Sequence, residues 1–338
     1  MDTLEPITIF TSKDLETDQE VRWCPGCGDY AILKSVQKIL PELGRPKYDF
    51  VFVSGIGCSS RFPYYMDTYG LHSIHGRALA IATGLKTSRP GLSVWVVTGD
   101  GDSLSIGGNH LIHTLRRNPD LNILLFNNQI YGLTKGQFSP TSEQGKITKS
   151  SPFGTADMPF NPLALALGAN GTFVARTLDR DPKHQQEIYK RAYDHHGTSL
   201  VEIYQNCNVF NDEAFALLTD KESKPFHTIF VEHGKPLVFA NGTKGIVLDG
   251  LTPRITDMST ASASDLWIHD EQDSVKAYIL SRFFDSDELP RPFGILYADP
   301  SRATFDDVMN RQVHEHALAD KKEAFAKLLR SGTTWTVE

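Results

Sequence analysis

Four cysteines carry the first chemical signal in this chain. Cys24 and Cys27 share the turn Trp23-Cys24-Pro25-Gly26-Cys27-Gly28, Cys58 lies in Gly57-Cys58-Ser59-Ser60, and Cys207 stands far downstream. A C-x-x-C turn brings two thiolates within reach of one metal. The number matches a single four-ligand site. Three uses are open on spacing alone: a Cys₄ zinc site, a [4Fe–4S] cluster, which also takes four thiolates, or buried unligated thiols. Disulfides need an oxidising compartment. The first twenty residues hold several acids and no apolar run of the kind that directs secretion, so reduced thiols and a cytoplasmic location are expected.

The second signal is a pair of hard oxygen donors. Gly99-Asp100-Gly101 and Asn127-Asn128 each follow a buried apolar run, with Asp100 and Asn128 separated by 28 residues. One intervening helix would bring two such strand ends together in a parallel sheet, facing one cavity. Mg²⁺ prefers this kind of site, completed by a carbonyl and phosphate oxygens. The glycines let backbone approach a phosphate, and a following helix N-terminus favours its charge. A lone Gly-Asp-Gly is also a common turn; the pairing with Asn-Asn is what gives it meaning. His75, in His75-Gly76-Arg77 before a helix, can donate to a phosphate or serve as an ordinary core histidine. Arg77 suits a surface ion pair or a partner contact. Lys135, in Leu133-Thr134-Lys135-Gly136-Gln137, is either a solvated loop lysine or a cation at the cavity mouth that suits a substrate's distal carboxylate. Thr134 and Gln137 are lesser candidates for polar contacts. His110 and His113 are read as structural.

The elements that must position these residues follow from periodicity. Phe50–Val53, Val94–Val97 and Asn122–Phe126 read as buried strands, each ending in a Gly- or Asn-rich turn. Helices are expected after the C-P-G-C-G turn (capped by Asp29 and stopped by Pro41), over Arg77–Ser88 and over Gly107–Arg117. Pro162–Leu167, Thr172–Arg176, Lys183–His195 and Ser199–Tyr204 continue the alternation, and Cys207 falls just after the last strand. This predicts an α/β fold with a mostly parallel sheet flanked by helices, whose ligand sites lie at the C-terminal strand ends. The expected organisation is an N-terminal arm over 1–22 with a β-prone stretch at Ile7–Phe10, an α/β domain over 23–210, and a partner-contacting C-terminal appendage over 211–338. In the last, Phe293–Tyr297 reads as a strand and Asp306–Leu329 as one amphipathic helix with Val313, Ala317, Phe325, Leu328 and Leu329 on one side. Residues 241–275 give no assignment, and Phe138–Ser151 reads as a mobile loop.

Composition narrows the function classes. The chain has 338 residues and a formal net charge of −7, which disfavours a general nucleic-acid binder. No apolar stretch approaches the ~18 residues of a membrane span, and no internal repeat is visible.

Asp100 with Asn128 resembles the thiamine diphosphate motif of thiamine-dependent enzymes. The resemblance implies Mg²⁺ ligands at Asp100, Asn128 and the carbonyl of Ile130, with Gly101, Asp102, Gly132 and Leu133 lining the cofactor. The full series C-P-G-C-G, G-I-G-C-S-S, I-H-G-R-A, G-D-G, N-N-x-x-Y-G and a late cysteine resembles the β subunit of 2-oxoacid:ferredoxin oxidoreductases, most closely those acting on 2-oxoglutarate. It is dense from about residue 20 to 210 and looser in the last third, where Arg291–Phe305 still resembles the family's tail. It implies a [4Fe–4S] cluster on Cys24, Cys27, Cys58 and Cys207. It also implies a diphosphate-binding turn at Ile56, Gly57, Cys58 and Ser59, with His75 as a cofactor contact. The implied reaction is CoA-dependent oxidative decarboxylation of 2-oxoglutarate to succinyl-CoA and CO₂. Electrons leave one at a time for ferredoxin, and the reverse direction fixes CO₂. Pyruvate-using relatives commonly carry Gly where Lys135 stands, which points Lys135 toward 2-oxoglutarate. The catalytic glutamate that activates thiamine belongs to a second α/β module, so an α subunit is implied as its source, in an (αβ)₂ assembly. The alternatives are a pyruvate or broad-specificity member of the family, a cluster-free thiamine lyase, and a non-catalytic scaffold that keeps the fold.

Overall fold

The structure is a computed structural model that describes residues 10–317 and 320–337. Of the expected β-prone stretch only Phe10 is among them, and residues 318–319 of the expected long C-terminal helix lie outside them. The chain opens with α1 (Asp29–Ile39), β1 (Phe50–Ser54), β2 (Tyr69–His72), α2 (Ala78–Ser88) and β3 (Ser93–Gly99). Then come α3 (Asp100–Leu104), α4 (Gly108–Arg117), β4 (Leu121–Asn127), α5 (Pro162–Gly168), β5 (Phe173–Leu178), α6 (Pro182–Asp194) and β6 (Ser199–Tyr204). The last third holds α7 (Ala216–Thr219), α8 (Lys224–His227), β7 (Thr228–Val231), β8 (Val238–Phe239), β9 (Lys244–Asp249) and β10 (Thr252–Asp257). It ends with α9 (Ser274–Ser281), β11 (Arg291–Ala298), α10 (Phe305–Glu315) and α11 (Lys321–Leu329).

Eight strands form one sheet in the order β2-β1-β3-β4-β6-β5-β11-β7. The first six run parallel, and β11 pairs antiparallel with β5. Strand alternation sends successive side chains to opposite faces. Val51, Val53, Val94, Val96, Ile123 and Leu125 pack on one side with Leu111 and Leu115 of α4. Phe50, Phe52, Trp95, Val97, Leu124 and Phe126 pack on the other with α1 and α6. Both faces are covered, which is why these strands read as continuous apolar runs. From β1 the chain steps outward to β2 and then returns to β3 on the other flank. That reversal opens a crevice beyond the C-terminal ends of β1 and β3, the general location of ligands in such sheets.

Several expectations change. Gly28 occupies the N-cap of α1, and Asp29 is its first helical residue, with both carboxylate oxygens buried and unpartnered. Pro41 does not end the segment at once, because a 3₁₀ turn over Leu40–Leu43 carries it on. The described part of the arm is packed, with Leu15 fully buried. The boundary at 210 is not a break in the sheet. The strand β11 covers the edge of β5 and β7 extends it, because a buried edge needs hydrogen-bonding partners. The unassigned stretch contains an antiparallel meander, β8-β9-β10. The expected helix Asp306–Leu329 is two helices, α10 and α11. Among the described residues Arg77 forms no ion pair; its guanidinium lies beside the Gly76 and Ile106 carbonyls. No described helix is long and apolar enough to cross a membrane.

Candidate functional site

Three strand-end loops meet on one carboxylate. Asp102, in the short helix that follows β3, is almost fully buried. Its Oδ1 accepts from Ile56 N at 3.0 Å and Gly76 N at 2.7 Å, and stands 2.7 Å from His75 Nδ1. Thr98 Oγ1 donates to Oδ2 at 2.7 Å. A Cβ on Gly55 would fall 1.9 Å from Oδ2, so only glycine lets the β1 loop reach this hub. An ionised carboxylate can only accept, so Nδ1 of His75 carries the proton and Nε2 is the ring nitrogen left for a ligand.

Asp100 lies two residues earlier and has a different environment. Ser139 Oγ and Thr141 Oγ1 donate to its Oδ2 at 2.5 and 2.6 Å. Its partners are hydroxyl and backbone N–H groups, not cations, and burial pushes its carboxyl up to about 6. A buried carboxylate in this state lacks a positive charge, and a divalent cation would supply it. The Asn-Asn turn stands opposite. Asn127 is structural: its Nδ2 donates to Glu202 at 2.7 Å, and its Oδ1 accepts from Gln129 N at 3.2 Å. Glu202 is in turn paired at 2.6 Å with Arg176, both fully buried. Asn128 directs Nδ2 to Gln205 Oε1 at 2.8 Å, while its Oδ1 accepts only a long bond, 3.2 Å, from Ile130 N. The positive φ of Gln129, 57°, makes the sharp turn between them.

These groups enclose a cleft of about 460 Å³ at the switch point, within the usual range for a small-molecule site. Ile56, Gly57, Cys58, Ser59, His75, Asp100, Gly101, Asp102, Asn128, Ile130, Gly132 and Leu133 all line it. Gly101 is held close under the Tyr131 ring, whose hydroxyl donates to the Gly101 carbonyl at 2.9 Å. Thr134 and Gln137 line it as well, but Lys135 does not. Lys135 is exposed on the rim, in the left-handed region at φ 76°.

The cysteines gather behind one wall of the cleft. In the C-x-x-C turn, Gly26 takes φ 82°, and Cys27 N donates to the Cys24 carbonyl at 3.0 Å. Gly28 N donates to the Asn206 carbonyl and Asn208 Nδ2 to that of Pro25, at 3.2 and 2.7 Å, fastening this turn to the Cys207 segment. Trp23 Nε1 donates to the Cys58 carbonyl at 2.7 Å. A Cβ on Gly132 would lie 3.5 Å from Cys58 Sγ and 3.6 Å from Cys207 Sγ, so this glycine is the shared wall between cleft and cysteines. Burial pushes the Cys58 thiol up to about 12 and the Cys27 thiol higher still, with Asp29 adding to both. Among the described residues no group of three His, Cys, Asp or Glu side chains is drawn tightly enough to hold a single ion. Arg61 is the one described cation felt at the Cys58 thiol, and a set of four thiols on one side of this wall has the donor chemistry that an iron–sulfur group takes.

Sequence reasoning did not single out Ser139, Thr141, Gln205 or Asn211, whose Nδ2 donates to the Asn128 carbonyl at 2.9 Å. The run Ser139-Pro140-Thr141-Ser142 read as part of a mobile loop, yet all three of its hydroxyl residues are buried on the Asp100 site. Its signal was the density of hydroxyls directly after the Asn-Asn turn. Gln205 and Asn211 flank Cys207 with no pattern of their own.

A family model described as thiamine pyrophosphate enzyme, C-terminal TPP binding domain, matches residues 55–203. The 2-oxoglutarate oxidoreductase subunit KorB of Mycobacterium tuberculosis is 53% identical over 331 residues, covering 96% of this chain and 88% of that protein. The 2-oxoacid:ferredoxin oxidoreductase 1 subunit beta of Aeropyrum pernix is 46% identical over 190 residues, which are 56% of this chain and 60% of its own length. Among solved structures, the 2-oxoglutarate:ferredoxin oxidoreductase from Magnetococcus marinus, with 2-oxoglutarate, coenzyme A and succinyl-CoA bound, superposes with a TM-score of 0.77. That match is 33% identical and covers 95% of this chain and 97% of the other.

Proposed function

This chain belongs to the family of 2-oxoglutarate oxidoreductase β subunits, and on that footing we propose that it is the thiamine- and cluster-binding half of a 2-oxoglutarate:ferredoxin oxidoreductase. The reaction is CoA-dependent oxidative decarboxylation of 2-oxoglutarate to succinyl-CoA and CO₂, with ferredoxin as electron acceptor. The carrying observation is the cleft itself, where Asp100 and Asn128 converge and whose back wall, at Gly132, is shared with the cysteines.

Each residue then has a task. Asp100, Asn128 and the Ile130 carbonyl would hold Mg²⁺, which would supply the positive charge that a buried carboxylate and a diphosphate need. Ile56, Gly57, Cys58 and Ser59 form the turn beside that diphosphate, and Gly101, Asp102, Gly132 and Leu133 complete the wall. Asp102 engages Nδ1 of His75 and so leaves Nε2 as the nitrogen that would contact the cofactor. Thiamine diphosphate, when bound, supplies a nucleophilic carbon and an electron sink for decarboxylation. Cys24, Cys27, Cys58 and Cys207 hold a [4Fe–4S] group, which supplies one-electron redox capacity. Lys135, on the rim, would meet the distal carboxylate of 2-oxoglutarate. An α subunit provides the pyrimidine-side glutamate, in an (αβ)₂ assembly. The exposed apolar residues Phe325, Leu328 and Leu329 of α11 suit a partner contact. A cytoplasmic location accords with four cysteines reserved for a cluster rather than for disulfides.

The exposure of Lys135 outside the cleft lining favours a second reading, a broad-specificity enzyme that also takes pyruvate. One experiment separates these. The chain is coexpressed with its α subunit, and CoA-dependent ferredoxin reduction is measured with 2-oxoglutarate and pyruvate. A marked preference for 2-oxoglutarate supports the main reading, and comparable rates support the second. Absence of both activities in a complex that contains thiamine diphosphate, iron and sulfide would sink the oxidoreductase reading. Full activity of the isolated chain would refute the need for an α subunit.

A further inference from the structure

One buried side chain touches both the cation site and the cysteine site. Gln205 follows β6 and is 1% exposed. Its Oε1 accepts from Asn128 Nδ2 at 2.8 Å, and its Nε2 lies 3.3 Å from Cys27 Sγ and 2.5 Å from the Asn206 carbonyl. The amide orientation follows from the partners. The Asn206 carbonyl can only accept, so the NH₂ end of Gln205 must face it and the neighbouring sulfur. The oxygen end then requires a donor, which is the NH₂ of Asn128. Asn128 is set in the same sense at its other end, because its Oδ1 takes the N–H of Ile130.

We propose that Gln205 is a positioning residue joining the two cofactor sites: it turns the Asn128 oxygen toward the cation and donates an N–H to the sulfur of Cys27. This rests on the reading that Asp100 and Asn128 hold Mg²⁺ and the four cysteines a cluster. The consequences differ at the two ends. At the cation end, losing the bond frees Asn128 to rotate its NH₂ inward. One neutral hydrogen bond of about 1 kcal/mol corresponds to about fivefold in affinity. At the cluster end, an N–H to a ligating sulfur stabilises the reduced state more than the oxidised state, since the reduced state carries one more negative charge. Its loss drives the reduction potential down.

The test uses the αβ complex, with Mn²⁺ as the cation probe read by EPR and a dithionite titration of the cluster EPR signal. In Gln205→Met, which keeps volume and removes both bonds, Mn²⁺ affinity is expected to fall about fivefold. The cluster potential is expected to fall by about a tenfold change in the reduction equilibrium, about 59 mV for one electron. In Gln205→Glu the oxygen for Asn128 remains while the N–H is lost. Mn²⁺ affinity should then stay within about twofold, and the potential should fall at least as far. An unchanged potential in either variant, with iron and sulfide content intact, overturns the inference alone. So does unchanged Mn²⁺ affinity in Gln205→Met. If Gln205→Met fails to assemble, the Gln205→Glu potential decides. A wild-type complex without iron and sulfide overturns the cluster reading and the inference with it.

Discussion

Asp102 offers the most quantitative test of how the cleft is built. Its carboxylate accepts from Ile56 N, Gly76 N and Thr98 Oγ1 and faces the Nδ1 of His75. Hydrogen bonds to a charged group contribute about 1.5–3 kcal/mol each. In Asp102→Ala the donors of Ile56 and His75 can reach cleft water, since both are only part-buried, whereas those of Gly76 and Thr98 are buried. Two stranded donors give an expected loss of about 3–6 kcal/mol, a large share of the 5–15 kcal/mol that typically holds a domain folded. Asp102→Asn is a gentler change. One amide oxygen can still serve the three donors at the Oδ1 position, and the Thr98 hydroxyl can turn to accept from the new NH₂. Only the charge assistance is lost, about 1–2 kcal/mol. Urea denaturation followed by tryptophan fluorescence would give both values, and calorimetry of thiamine diphosphate binding would report on the cleft. The alanine variant should lose two to three times as much as the asparagine variant. Equal losses, or a loss below about 1 kcal/mol for alanine, would refute the idea that one carboxylate fastens three loops.

Three further outcomes follow from the same structure. His195 is buried and His184 half-buried, and desolvation holds both imidazoles down at about 4. Between pH ~6.5 and ~4 the unfolded chain takes up protons that the folded chain does not, so stability falls with pH in that window, by at most about 3 kcal/mol per group. Urea midpoints at pH 7 and 5 check this, and His195→Gln should flatten the dependence. In Gly101→Ala the new Cβ would meet Tyr131 Cε1 at 2.2 Å. An overpacking loss of about 1–3 kcal/mol is expected in thermal melts, and a variant as stable as wild type would contradict the close approach. Lys135→Gly relieves a left-handed lysine, with a stability change between about 0 and +1 kcal/mol once the backbone entropy of glycine is counted. The same variant should lose preference for 2-oxoglutarate over pyruvate, and an unchanged ratio removes Lys135 from substrate recognition.

The parallel core was legible because its strands are short apolar runs closed by local turn residues. The limits of β1, β3, β4 and β6 differ from the sequence reading by at most two residues. The exposed edge strand β2, Tyr69–His72, was missed because two-sided burial, the signal used for the others, is absent there. β11 was set apart from the sheet by the change in texture after residue 210, although it carries a buried run, Pro292–Leu296, and the four-residue β7 was not read at all. Residues that line the cleft were legible for a similar reason. Each sits directly after a strand, and a parallel sheet delivers all such positions to one edge.

Sequence by itself determined which side chains the proposed function rests on: Asp100, Asn128, His75 and the four cysteines, each marked by its type and by a turn a few residues long. Tertiary structure alone decided how they are held. Gln205 meets Asn128 across 77 residues and Cys27 across 178, and Thr141 reaches Asp100 across 41. Periodicity reports only the face that a local element buries. Which hydroxyl or amide satisfies a buried carboxylate depends on loops that meet after the sheet has formed, and no spacing rule in the chain encodes that meeting.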